Sequence, residues 1–246
     1  MLDEFFLIAL AVYFLAGTVK GTIGIGLPTT SISLLGQVYD PRVAIALAIF
    51  PILFTNVWQV YRTGEVKRTL RTYWPYAVVL AVVLWASTGF SARISTTSLV
   101  FVLGCVVVLF ALTSLFFHPP ELPQRFDRVG QIVGGTLSGV LGGLTAIWAP
   151  PMVVYFLARR LDKDEFVRAS GVLLFVGSVP LLFGYVQNGL MTRDLALMSM
   201  AMIVPTLIGF SLGEAIRHRV NAARFQKLIL FLFLVMGLNL IRRSIF

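Results

Sequence analysis

Lys20-Gly21-Thr22-Ile23-Gly24-Ile25-Gly26-Leu27-Pro28-Thr29-Thr30-Ser31 is the stretch on which the fold of this chain turns, because it sets a lysine, three glycines and a proline inside an apolar run spanning about residues 5–36. A second interrupted run, at about 129–158, contains Gly139-Val140-Leu141-Gly142-Gly143-Leu144-Thr145-Ala146-Ile147-Trp148-Ala149-Pro150-Pro151. In both, proline follows a glycine-rich bend. Proline suits the first turn of a helix, where its missing N–H would have no intrahelical partner. Half-helices are therefore expected to begin near Pro28 and Pro150.

The surroundings of these bends are those of a membrane protein. The 246 residues are 58% hydrophobic and 13% charged, against about 25% charged in soluble domains, and the mean hydropathy is +0.89. Six further apolar runs, at about 42–60, 74–92, 98–117, 166–187, 194–213 and 225–241, bring the total to eight. Most are close to the ~20 residues that cross a bilayer as a helix. The expected fold is an all-α integral membrane protein.

The halves repeat. Gly17-Thr18-Val19-Lys20-Gly21-Thr22-Ile23-Gly24 aligns with Gly135-Thr136-Leu137-Ser138-Gly139-Val140-Leu141-Gly142, and Ala44, Gly64 and Arg93 then align in order with Ala169, Gly189 and Arg217. This predicts an N-terminal membrane repeat at 1–117, a linker loop at 118–128 and a C-terminal repeat at 129–246. If all eight segments crossed once, nine Lys and Arg would lie on one face and ten on the other, which orients nothing. If the first and fifth are broken helical hairpins that enter and return on the same face, loops 61–73, 118–128, 159–168 and 217–227 share fourteen basic residues. The other face keeps five, and Lys20 lies within a segment. Cytoplasmic loops are enriched in Lys and Arg, so hairpins are favoured, the second repeat is inverted, and both termini are expected to be periplasmic in a bacterial-type inner membrane.

Irregular backbone at membrane depth is tolerated where it is buried or lines a cavity, and exposed helix N-termini with glycines beside them hold anions. The candidate substrate-binding residues are Lys20, Gly21, Gly24, Gly26, Pro28, Thr29 and Thr30 of the first break, and Gly142, Gly143, Thr145, Trp148, Pro150 and Pro151 of the second. Asn56 and Ser170 are added from the second and sixth segments, where Gln59 and Ser178 are also polar. The hydroxyl residues equally suit helix capping, the amides suit interhelical hydrogen bonding, and Trp148 suits packing. Lys20 carries most weight, since a cation at the bilayer centre costs at least about 2.5–3.5 kcal/mol; its alternative is to snorkel to an interface.

The remaining features exclude more than they assign. The formal net charge of +9 and pI near 10.2 come from connecting loops and fit lipid headgroups rather than nucleic acid. Cys105 stands alone, so no internal disulfide forms, and His118 and His218 have no partners at metal-ligand spacing. No HExxH, GxSxG or central carboxylate pair occurs, which argues against an intramembrane enzyme, and no cofactor is expected. The N-terminal run lacks a signal peptide's basic start and is expected to be retained.

The chain resembles the TauE/SafE sulfite exporter family, also called toluene sulfonate uptake permeases. The resemblance rests on Leu137-Ser138-Gly139-Val140-Leu141-Gly142-Gly143, Ala149-Pro150-Pro151-Met152-Val153-Val154-Tyr155 and Leu161-Asp162-Lys163-Asp164-Glu165-Phe166-Val167-Arg168-Ala169-Ser170, with Gly17, Gly21, Gly24-Ile25-Gly26 and Pro28 in the first half. It spans nearly the whole chain. It departs where residues usually found between the Gly-Ile-Gly bend and its proline are missing, and where Ala146-Ile147-Trp148-Ala149 replaces frequent glycines. It implies a secondary transporter, with export the expected direction, for sulfite, sulfoacetate, taurine-derived or other sulfonates. The expected partners are that small anion and membrane lipids, and a homodimer is compatible with the sequence. An anion channel on the same scaffold and a noncatalytic membrane subunit stand as alternatives.

Overall fold

The computed structural model describes residues 2–117, 119–217 and 222–246; His118 and His218 lie outside the described residues. Apart from a short 3₁₀ turn at Gln124–Phe126, the described elements are α-helices: α1 (Leu2–Ile23), α2 (Leu27–Leu35), α3 (Pro41–Thr63), α4 (Val66–Arg93), α5 (Thr96–Phe116), α6 (Asp127–Thr145), α7 (Ala149–Ala158), α8 (Lys163–Gln187), α9 (Arg193–Ala201), α10 (Ile203–Arg217) and α11 (Ala222–Ile245). Among them, seven stretches are long and apolar enough to cross a membrane: 4–23, 41–63, 66–93, 96–116, 164–187, 193–216 and 226–245. The chain is a multi-pass membrane protein. The count is seven because the fifth apolar run is divided between glycine-rich α6 and the ten-residue α7, neither of which joins that set.

Helix starts are capped by side chains that the sequence supplies. Asp40 accepts from the Arg42 N–H at 2.7 Å before Pro41, Ser95 from Ser98 at 3.1 Å, Asp162 from Glu165 at 2.8 Å and Thr192 from Leu195 at 3.3 Å. Each such cap contributes about 1 kcal/mol. The ladder continues from α9 into α10, where Met202 donates to Met198 and Thr206 to Met202.

Glycines set how closely the helices approach. A Cβ on Gly17 or Gly21 of α1 would sit 2.2 or 2.1 Å from the backbone oxygens of Thr206 or Phe210 in α10. On Gly209 or Gly213 of α10 it would meet Phe14 O at 2.0 Å or Thr18 O at 2.2 Å. Gly135 and Gly139 of α6 face α4 in the same way, against Tyr76 O at 2.9 Å and Val83 Cβ at 2.7 Å. Small residues four apart are the usual means of close helix contact in lipid, where apolar burial drives little. Gly17 and Gly21, and Gly135 and Gly139 that align with them in sequence, thus serve two seams, α1 on α10 and α4 on α6.

Ion pairs and the hydrogen bonds of charged side chains mark the two ends of the bundle. At one end Arg62 pairs with Glu214 at 2.8 Å, Arg168 with Glu65 at 3.4 Å and Arg159 with Asp127 at 2.9 Å, while Tyr73 donates to Glu165 at 2.7 Å. At the other, Arg42 donates to Ser91 O at 3.0 Å, Thr96 to Asp40 at 3.1 Å and Arg243 to Gly36 O at 3.3 Å. Arg42 and Arg62 mark opposite ends of α3, about 30 Å apart at 1.5 Å per residue.

Gly209→Leu is expected to lower the melting temperature of the detergent-purified protein by about 5 °C or more, as overpacking against backbone costs about 1–3 kcal/mol. Val204→Leu, at a position 62% exposed on the same helix, is expected to leave it unchanged. Differential scanning fluorimetry compares the two.

Candidate substrate chamber

Each interrupted run bends for a local reason. In the first, the α1 ladder ends with Gly24 N–H donating to Lys20 O at 2.7 Å, and φ of 90° at Gly24 and 102° at Gly26 turns the chain into α2. Glycine adopts these angles at no steric cost. In the second, Ala146 takes φ 56° and donates to Gly142 O at 2.7 Å. An alanine there costs about 1–2 kcal/mol, so its surroundings must hold it. Ser138 Oγ does so by donating to Trp148 O at 2.8 Å, and it also hydrogen-bonds Tyr76 Oη at 2.7 Å.

Between the two bends lies a small chamber. Gly26, Pro28 and Thr29 line it from the first, Trp148 and Ala149 from the second, with Ile25, Ile52, Asn56 and Leu174 completing the wall around Lys20. Its volume is about 10 Å³, room for one water. Lys20 is 2% exposed, so its head group does not snorkel. Nζ donates to Thr55 Oγ1 at 2.9 Å and to Asn56 Oδ1. Asn56 passes the contact on to Ser178 Oγ at 2.9 Å, which donates to Leu174 O at 2.7 Å. Among the described residues no carboxylate pairs with Lys20, and no cluster of metal ligands occurs.

Several donors around this space have no acceptor. An ammonium has three N–H groups, and Lys20 has two acceptors. Thr29 lines the chamber with no hydrogen bond to its hydroxyl among the described residues, and buried Trp148 Nε1 has no acceptor. The first turns contribute unequally. Pro28 leaves Leu27 and Thr29 as first-turn donors in α2, whereas Pro150 and Pro151 leave only Ala149 in α7. The third Lys20 N–H, the Thr29 hydroxyl and the first-turn amides of α2 are donors that an anion could use.

Of the candidates from the sequence, Lys20, Gly26, Pro28, Thr29, Asn56 and Trp148 come together at the chamber. The others lie elsewhere. Gly21 belongs to the α1–α10 seam, and Gly24 forms the bend with open space beside it. Thr30 donates to Gly26 O at 2.8 Å and Thr145 to Leu141 O at 2.7 Å, both within their own helices. Gly142 and Gly143 pack against Leu84 of α4, Pro150 and Pro151 line a groove outside α7, and Ser170 donates to Val167 O at 3.0 Å. Thr55, Ile25, Ile52 and Leu174 were not singled out in the sequence. The need of a buried ammonium for oxygen acceptors one helix away is the signal that points to Thr55, next to Asn56.

The described residues thus form a helical membrane bundle with two interrupted segments around a buried lysine that has no carboxylate partner. Residues 9–240 match the family described as Sulfite exporter TauE/SafE, and the chain belongs to that family. No curated protein and no solved structure matches it.

The Trp148 indole lies against Gly177, where an added Cβ would come within 2.8 Å of the rigid ring. Gly177→Ala is therefore expected to shift the protein's tryptophan emission, and the shift is expected to vanish when Trp148→Phe is combined with it. An emission change that survives in the double variant would mean that the ring does not report on this contact.

Proposed function

We propose that this protein is a secondary carrier that exports a sulfur oxyanion, such as sulfite or a small organosulfonate, across a bacterial inner membrane by alternating access. The observation that carries the reading is Lys20, buried without a counter-ion between two helix breaks. A buried unpaired cation is costly, and an anionic substrate offsets that cost. The sulfonate oxygens accept from Lys20 Nζ, Thr29 Oγ1 and the first-turn amides of α2, while Ile25, Ile52 and Trp148 face the rest of the molecule. A chamber of about 10 Å³ is too small for such an anion, so loading requires the walls to part, as in a carrier rather than a standing pore. With a negative cytoplasmic potential, efflux of one charge gains about 2.3 kcal/mol per 100 mV.

The topology we propose is the hairpin arrangement, with two inverted repeats of 1–117 and 129–246 and both termini periplasmic. It is supported by the neighbours at each run's ends. Phe5 at the start of α1 stacks edge-on to Tyr39 just past α2, with ring centroids 4.5 Å apart. Asp127 at the start of α6 accepts from Tyr155 at 2.7 Å, near the end of α7. The matching seams of α1 on α10 and α4 on α6 support the repeat.

Lys20→Ala is expected to reduce sulfite or sulfonate flux into proteoliposomes at least about tenfold per folded molecule, the effect of one lost charge-assisted hydrogen bond of about 1.4 kcal/mol or more. Equal flux would remove the lysine from the mechanism. Thermal stabilisation by sulfite, sulfate, thiosulfate, taurine, sulfoacetate and aromatic sulfonates, read on the purified protein, ranks the substrates, and counterflow separates a carrier from a channel. In a Cys105→Ala background, Lys67→Cys and Lys163→Cys are expected to react with an impermeant maleimide from the cytoplasmic side; labelling from opposite sides would defeat the hairpin topology.

A further inference from the structure

A proline near the middle of α3 leaves a backbone acceptor without its partner. Pro51 has no N–H, so the carbonyl of Leu47, one turn earlier, has no donor within the helix. Both residues are buried, and lipid offers no replacement. The hydroxyl of Ser199 in α9 fills the gap. Ser199 Oγ donates to Leu47 O at 2.8 Å and accepts from Phe50 N–H at 3.2 Å, so one side chain serves an acceptor and a donor on the same turn of α3. Ser199 is fully buried, whereas Leu197 and Met200 of α9 are 53% and 42% exposed. Helix α9 thus turns this hydroxyl toward α3 and leaves those apolar side chains outside.

The interrupted turn lies directly before the acceptors of Lys20. Ile52 and Asn56, which line the chamber, follow Pro51 within two turns. Thr55 Oγ1 donates back to Pro51 O at 2.7 Å while it accepts from Lys20 Nζ at 2.9 Å. A helix that lacks one ladder bond can bend there, and a bend at Pro51 would move Thr55 and Asn56 relative to α1. The element that supplies Ser199 is itself fixed to α1. The ladder runs on from α9 into α10, and Thr206 of α10, two turns after Ser199, meets Gly17 of α1, one turn before Lys20. Helices α1, α10, α9 and α3 therefore form a closed circuit. The cation reaches its acceptors directly through Nζ, and the helices that carry them are joined a second time through Ser199.

We infer that Ser199 is a positioning residue: by standing in for the N–H that Pro51 lacks, it holds Thr55 and Asn56 in register with Lys20. Pro51 gives α3 a point of flexure beside the chamber, and the Ser199 hydroxyl closes it. The consequence for transport rests on Lys20 being the anion's partner in the proposed carrier.

The test compares one substitution in two backgrounds, with the full chain in detergent or in proteoliposomes. Ser199→Ala removes the hydroxyl, and Pro51→Ala restores an N–H that can reach Leu47 O. Alone, Ser199→Ala is expected to speed amide hydrogen exchange over residues 47–56 roughly fivefold, the effect of one hydrogen bond, and to lower the melting temperature by about 3 °C. It is also expected to raise the half-saturating sulfite concentration for uptake by a factor of about five, with maximal flux per folded molecule unchanged, as for a loss confined to binding. A serine that only supported the fold would lower the folded yield without moving that concentration. In the Pro51→Ala background the same change is expected to leave exchange and half-saturation where they were. Gel filtration verifies folding, and the double variant supplies a protein that lacks the hydroxyl but no longer needs it. An equal response in both backgrounds would overturn the proposal, and so would exchange that rises at 47–50 but not at 52–56. Half-saturation unmoved by Ser199→Ala while Lys20→Ala lowers flux would overturn it as well. Flux unchanged by Lys20→Ala, together with the expected exchange, would uphold the positioning by Ser199 and overturn the carrier's use of the lysine instead.

Discussion

A helix that stops inside a bilayer leaves backbone N–H and C=O groups that lipid cannot satisfy, and this chain stops twice, at residues 24–26 and 146–148. The arrangement around those bends answers that constraint. Thr145 Oγ1 accepts from Ile147 N–H at 3.3 Å, Ser138 donates to Trp148 O, and the glycine angles at 24 and 26 let Thr30 N–H return to Gly26 O at 2.8 Å. Where prolines occupy the restarted helices, the donors that would have been stranded are absent. Among the described residues, Trp148 Nε1 is one of the buried side-chain atoms left without a partner, and its residue lines the same chamber as Lys20.

Lys20 is held by neutral acceptors alone. Thr55 and Asn56 satisfy two of its three N–H groups and fix the ammonium without cancelling its charge. A carboxylate in their place would have paired the ammonium with an opposite charge. Asn56 in turn reaches Ser178 on α8, so the cation on α1 is tied through α3 to the other half of the chain. Packing here serves electrostatics: apolar Ile25, Ile52 and Leu174 keep water from screening the charge.

Much of this was legible in the sequence. Proline after a glycine bend marks where α2 and α7 begin, within a residue of the observed starts at Leu27 and Ala149, because proline's fixed φ and missing N–H fit few other places. Lys20 stood out because a charge in an apolar run demands an explanation. Other features were hidden because they depend on which helices meet. Gly21, Gly142 and Gly143 read as anion-approach points, and the neighbours that show them packing instead, α10 and α4, are distant in sequence. Thr55 has no distinguishing pattern, and its role appears when α1 and α3 are side by side. The count of membrane-capable helices differs because length and hydropathy alone cannot say that α6 and α7 together occupy what one run suggested.

The glycine seams also set the order in which the protein can be completed. The surface of α1 that carries Gly17 and Gly21 fits α10, which begins roughly 180 residues later; at ribosomal rates of about 5–20 residues per second, α1 waits some 10–40 s for its partner. During that interval Lys20 has Thr55 and Asn56 within reach once α3 is synthesised, but the seam itself stays open to lipid. Assembly is therefore finished from the C-terminal side, and a chain truncated before α10 would leave its first helix inserted with its tightest contact unmade.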